Sequence, residues 1–192
     1  MLINGNTYSS VLFIHIPKTA GTSIFNKIYA KNLDIWARTS PRSHETYLSL
    51  KNNNKIDDSV FSFSVVRNPY TRTYSCFNQF NKRNKTKITF IEFLTNNKIN
   101  RVSSITPLLH LPQLHYVVDE LGEIGIKKIY RFENLKELES DFGWTLGFDN
   151  VGNYMIESYN KDYTDEAISL IQELYDSDFT NFGYSKDFNK II

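Results

Sequence analysis

Cysteine occurs once in this chain, at Cys76, so no disulfide can form within it and a cysteine-rich zinc site is excluded. No apolar run approaches the ~18 residues that a membrane-spanning helix needs, and no stretch reads as a signal peptide. Both absences lead us to expect a cytoplasmic protein without a membrane partner. An excess of one charge is missing as well. The 22 Lys and Arg residues nearly balance 21 Asp and Glu, leaving a formal net charge of +1. Bulk charge therefore gives no reason to expect nucleic acid as a partner, and any anion must be held by local arrangement. Internal repeats, long linkers and a convincing set of metal ligands are also lacking. What is plentiful is apolar and aromatic, 41% and 15% of 192 residues. That suffices for a buried core in one domain over residues 1–192.

Residues 11–16 (VLFIHI) form a short apolar run that predicts a buried parallel strand. Residues 17–23 supply Pro, Gly and small hydroxyl side chains, a loop composition. Ile24, Phe25, Ile28 and Tyr29 follow at helical spacing. Val60–Val66 (VFSFSVV) alternates at strand period, and Asn68-Pro69 predicts an N-cap followed by Pro at the first helical position. Tyr70, Tyr74 and Phe77 continue that helix. Thr89 and Glu92 have the spacing of a capping box that opens a short helix with Phe90, Phe93 and Leu94. Residues 125–132 contain a third strand, and Leu135, Leu138 and Phe142 suggest a helix. Thr164 caps a last helix to about Asp176, with Asp165 and Glu166 where the helix dipole favours acid. Residues 33–37 are a candidate strand and 43–50 a candidate helix. Strands alternating with helices predict an α/β fold, a short central parallel sheet flanked by helices. Ligands of such sheets lie beyond the carboxyl ends of the strands.

Two loops lie at those ends. In the first, HIPKTAGTS from His15 to Ser23 joins strand to helix. The N–H groups of a helix's first turn have no intrahelical partner, and the dipole favours an anion there. Gly21 permits close approach of the backbone, Thr19, Thr22 and Ser23 carry hydroxyls, and Lys18 is a mobile cation. The Walker spacing GxxxxGK[ST] is absent, because Lys18 precedes the glycine. In the second, Arg67 ends a strand and Ser75 lies about two helical turns on. Arginine offers a planar fork suited to phosphate oxygens, and serine adds a short donor.

HIPKTAGTS closely resembles the 5′-phosphosulfate-binding loop of sulfotransferases that use 3′-phosphoadenosine 5′-phosphosulfate (PAPS), in particular the carbohydrate sulfotransferase-like branch. RNPYTRTYSCF, residues 67–77, resembles the 3′-phosphate-binding motif of the same family. RFENL at 131–135, Gln113, YTDE at 163–166 and DFTNFGY at 178–184 match further segments, and the stretch 81–107 matches poorly. The resemblance implies a P-loop-like three-layer domain and transfer of a sulfuryl group from PAPS to an acceptor hydroxyl on a small molecule or glycan. Adenosine 3′,5′-bisphosphate is released and no metal is needed. By resemblance, Lys18 contacts the 5′-phosphate and the bridging oxygen, and Thr19, Ala20, Gly21, Thr22 and Ser23 cradle the phosphate. Arg67 and Ser75 take the 3′-phosphate, and Arg72 matches a family position that reads equally well as structural. The rival expectations are a P-loop-type kinase using ATP and a non-catalytic nucleotide-binding module.

Sulfuryl transfer requires a group to take the acceptor proton, and histidine suits that task near neutrality. Of four histidines, His44 in RSHETY resembles a histidine that lies near the acceptor in family members, and it is the candidate base. Glu45 is the local alternative. His15, at a strand end, reads as packing or loop support. His110 and His115 flank Gln113 and are candidates for an acceptor cleft. Lys82, Arg83, Lys85 and Lys87 form a basic segment, by default a solvated loop and on the sharper reading a contact for an anionic or sugar acceptor.

Overall fold

The computed structural model describes residues 2–3, 5–30, 44–53, 56, 58–99, 111–146 and 161–191. The chain divides into two compact units, each drawn from two stretches. The first is Met1–Val66 with Gln113–Val151, and the second is Arg67–Pro112 with Gly152–Ile192.

The first unit is α/β. Strands β1 (Leu2–Ile3) and β2 (Asn6–Thr7) pair antiparallel. Strands β3 (Ser10–Ile14), β4 (Val60–Val66) and β5 (Lys128–Arg131) form a parallel sheet in the order β3-β4-β5. Every residue of the central β4 is buried, so its Phe/Ser alternation records strand period without marking a solvent face. Both serines are satisfied instead, as buried hydroxyls must be. The Ser64 Oγ donates to the Ile14 carbonyl at 2.7 Å, tying the carboxyl end of β3 to β4. The Ser62 Oγ accepts from the Lys127 N–H at 3.0 Å. The third strand is shorter than the 125–132 stretch that contains it. Its lead-in Gly125 donates to the Val117 carbonyl at 2.9 Å, and Phe132 opens a 3-10 turn, Phe132–Asn134.

Helix α1 (Gly21–Ala30) buries Ile24, Phe25 and Ile28. These join Phe13, Phe63, Val65 and Tyr130 in one apolar core, with Leu138 of a later helix, Leu135–Phe142. Helix α2 (Tyr47–Asn53) starts later than the 43–50 stretch suggested. The candidate strand at 33–37 lies outside the described residues.

Among its described residues the second unit is helical. Helix α3 (Pro69–Asn84) opens as its sequence predicts, with Pro69 at the first position and the Asn68 side chain accepting from the Tyr70 N–H at 3.0 Å. Helix α4 (Phe90–Ile99) carries the capping box. There the Thr89 N–H donates to Glu92 Oε2 at 2.7 Å, and the Glu92 N–H to Thr89 Oγ1 at 3.3 Å. In the first unit, α5 (Leu114–Val117) and α6 (Leu135–Phe142) complete the helices among the described residues. In the second, α7 (Asp165–Leu174) is capped by Thr164, whose Oγ1 accepts from the Ala167 N–H at 3.2 Å. Helix α7 stops at Leu174 because Tyr175 turns to φ −125°, ψ 28°. Helix α8 (Asp176–Phe182) then ends on Gly183 at φ 63°. Tyr70, Tyr74, Phe77, Phe90, Ile171 and Phe179 contribute to this unit's own core. Among the described residues no helix is long and apolar enough to cross a membrane.

Candidate functional site

The first loop leaves β3 and turns into α1 through strained backbone. Lys18 sits at φ 71° and Ala20 at φ 68°, in the left-handed region where a side chain costs about 1–2 kcal/mol. Such outliers concentrate where the surrounding structure enforces a working geometry. Thr19 is fully buried, and its Oγ1 donates to the Ile16 carbonyl at 2.8 Å. Its hydroxyl therefore closes the turn. The Ile24 N–H bonds the Ala20 carbonyl at 3.2 Å, so the N–H groups of Gly21, Thr22 and Ser23 precede the first helical bond. No acidic residue stands in the first turn of α1. Lys18, Ala20 and Ser23 are half-buried and Thr22 is exposed.

Gly21 is buried for a reason its motif did not disclose. A Cβ there would fall 1.9 Å from His15 Nε2. The missing side chain makes room for the His15 imidazole, which packs beside Phe13 and Phe25 with ring centroids 5.8 and 5.6 Å away. His44 is half-buried, with its ring centroid 4.4 Å from that of His15 and its Nδ1 3.0 Å from the His15 carbonyl oxygen. Residues 29 positions apart in sequence thus meet beside the loop. The alternative base Glu45 is exposed.

The second loop continues directly from β4. Arg67 is half-buried, and its Nε donates to Thr71 Oγ1 at 3.1 Å, while that hydroxyl donates to the Asn68 carbonyl at 3.2 Å. Arg67 is thereby folded back along α3, and Thr71 and Ser75 share a face at i, i+4 spacing. Ser75 itself is buried. Helix α3, like α1, has no acid in its first turn, whereas α4 has Glu92 and α7 has Asp165 and Glu166.

Arg72 is only 1% exposed, which favours the structural of its two readings. Its Nη1 donates to the Leu111 carbonyl at 3.1 Å, and its guanidinium carbon lies 5.9 Å from the centre of the Tyr175 ring. Burial pushes the Tyr175 phenol up to about 12, opposed by the Arg72 charge. Gln113 is fully buried just ahead of α5. His115 is exposed, and His110 lies outside the described residues. Lys82, Arg83, Lys85 and Lys87 are all exposed. Among the described residues no group of three or more His, Cys, Asp and Glu side chains is placed to hold a metal ion. Compared with known proteins, the chain matches no family model, no curated protein and no solved structure.

Proposed function

We propose that this protein is a sulfotransferase that binds PAPS through the two loops and transfers its sulfuryl group to an acceptor hydroxyl, on a small molecule or a glycan. The observation that carries this is the repeated unit at neighbouring parallel strands. Each of β3 and β4 runs into a cation-bearing loop and a helix with no acid in its first turn, the local chemistry that receives phosphate. Two phosphate sites suit PAPS, whose 3′-phosphate distinguishes it from ATP. Lys18 and the 19–23 backbone take the 5′-phosphosulfate, and Arg67 and Ser75 take the 3′-phosphate. The acceptor oxygen attacks sulfur in line, the bond from sulfur to the bridging oxygen breaks, and adenosine 3′,5′-bisphosphate leaves with that electron pair. Lys18 stabilises the charge on the bridging oxygen. His44 takes the acceptor proton. A P-loop-like three-layer arrangement and a cytoplasmic setting belong to the same proposal.

Thermal unfolding with adenosine 3′,5′-bisphosphate, ATP and AMP tests it. Ligand at 100 times its Kd adds about 2.7 kcal/mol of stability, and the 3′-phosphorylated nucleotide is expected to stabilise most. Equal or greater stabilisation by ATP would favour a kinase and sink the proposal. Lys18→Ala and Arg67→Ala are each expected to weaken nucleotide binding by about 1.5–3 kcal/mol, the worth of a charge-assisted contact, as read by calorimetry. Loss of turnover on His44→Ala with bisphosphate binding retained would separate an enzyme from a binding module.

A further inference from the structure

Resting on His44 as the base of the proposed transfer, we propose that His15 is its positioning residue. The His15 main-chain carbonyl fixes which nitrogen of His44 accepts the proton, and Gly21 makes room for the imidazole that supports it. A carbonyl oxygen can only accept a hydrogen bond, so the His44 nitrogen 3.0 Å from it, Nδ1, must carry the hydrogen. In the neutral ring this leaves the lone pair on Nε2. The acceptor proton is therefore taken by Nε2, and the Nδ1–H bond to His15 holds the ring while the imidazolium forms. The His15 imidazole also lies against the His44 ring, with centroids 4.4 Å apart and planes tilted by 49°. That imidazole is held in turn by Phe13 and Phe25, and it occupies the space that a Cβ on Gly21 would need. A glycine that the motif assigns to phosphate approach is thus also a condition for the base.

The test is long-range proton–nitrogen correlation NMR on the full chain labelled at histidine nitrogen, at a pH where the rings are neutral. His44→Gln identifies the His44 signals by their disappearance. The expected result is a His44 protonated at Nδ1 and unprotonated at Nε2, shifted towards that form on the order of fivefold relative to free imidazole, the effect of one net hydrogen bond. A His44 protonated at Nε2 overturns the proposal. His15→Phe keeps the carbonyl and an aromatic ring in the stack, and is expected to keep the His44 tautomer. Gly21→Ala drives the His15 ring aside and is expected to return the tautomer ratio towards that of the free ring. An unchanged ratio in Gly21→Ala would refute the supporting role of the His15 ring. Should Gly21→Ala fail to fold, the wild-type spectrum alone still decides the tautomer. The spectrum needs no donor nucleotide, so the two proposals fail separately. An Nδ1–H tautomer without PAPS turnover removes the sulfotransferase and keeps the positioning, and PAPS turnover with an Nε2–H tautomer does the reverse.

Discussion

Ala20 is a small residue in a backbone conformation that glycine adopts freely. At φ 68° the side chain costs about 1–2 kcal/mol, of which a glycine would return part as greater freedom of the unfolded chain. Ala20→Gly is therefore expected to stabilise the protein by about 0.5–1 kcal/mol in urea denaturation. Ala20→Val, β-branched at the same angle, is expected to destabilise it. Equal stability of all three would mean that the loop does not hold this conformation. Sequence could not reveal the strain, because composition predicts left-handed backbone at Gly or Asn, and Lys18 and Ala20 are neither. It likewise gave Gly21 a plausible task without its neighbour. Nothing in the HIPKTAGTS string says that the imidazole of its first residue returns to lie on its seventh.

Elements whose boundaries depend on local chemistry were legible. Asn68-Pro69, Thr89 with Glu92, and Thr164 each open a helix at the residue expected, through bonds between a side chain and the helix's own first turn. Thr164→Ala is accordingly expected to cost about 1 kcal/mol, measured by thermal unfolding, with Thr164→Ser close to wild type. Boundaries set by distant contacts were not legible. The third strand is short because the Gly125 N–H is turned to Val117 and Gly125 lies against the Tyr47 ring, contacts made across more than one element. The buried state of Ser62 and Ser64 escaped the strand pattern for the same reason, since alternation reports period and not what covers each face. In the site, residue types and order were readable, but the meeting of His44 with His15 depends on how the intervening chain returns.

Across the whole molecule, tyrosine burial dictates the response to alkali. The phenols of Tyr70, Tyr130 and Tyr175 are all raised above 10.0, chiefly because burial penalises the phenolate. A folded-state value above the unfolded one means full stability below pH 10 and progressive loss as pH rises through the folded values. For Tyr175 the window runs from about 10 to about 12, a loss on the order of 2–3 kcal/mol from that residue alone. Urea midpoints at neutral pH and at about pH 11 are expected to differ in that direction, with a smaller difference in Tyr175→Phe. A midpoint unchanged by alkali would contradict the burial of these phenols.

The division of the chain has a consequence during synthesis. Both units are discontinuous, and β4, the middle strand of the sheet, is completed at Val66 while its neighbour β5 begins only at Lys128. At about 5–20 residues per second on a ribosome, the intervening roughly 60 residues take several seconds to appear. Through that interval one side of an apolar strand has exposed peptide groups awaiting a partner, the condition that invites pairing with another chain. The nascent polypeptide is thus vulnerable along Val60–Val66, and translation that stalls before Lys128 would prolong that exposure.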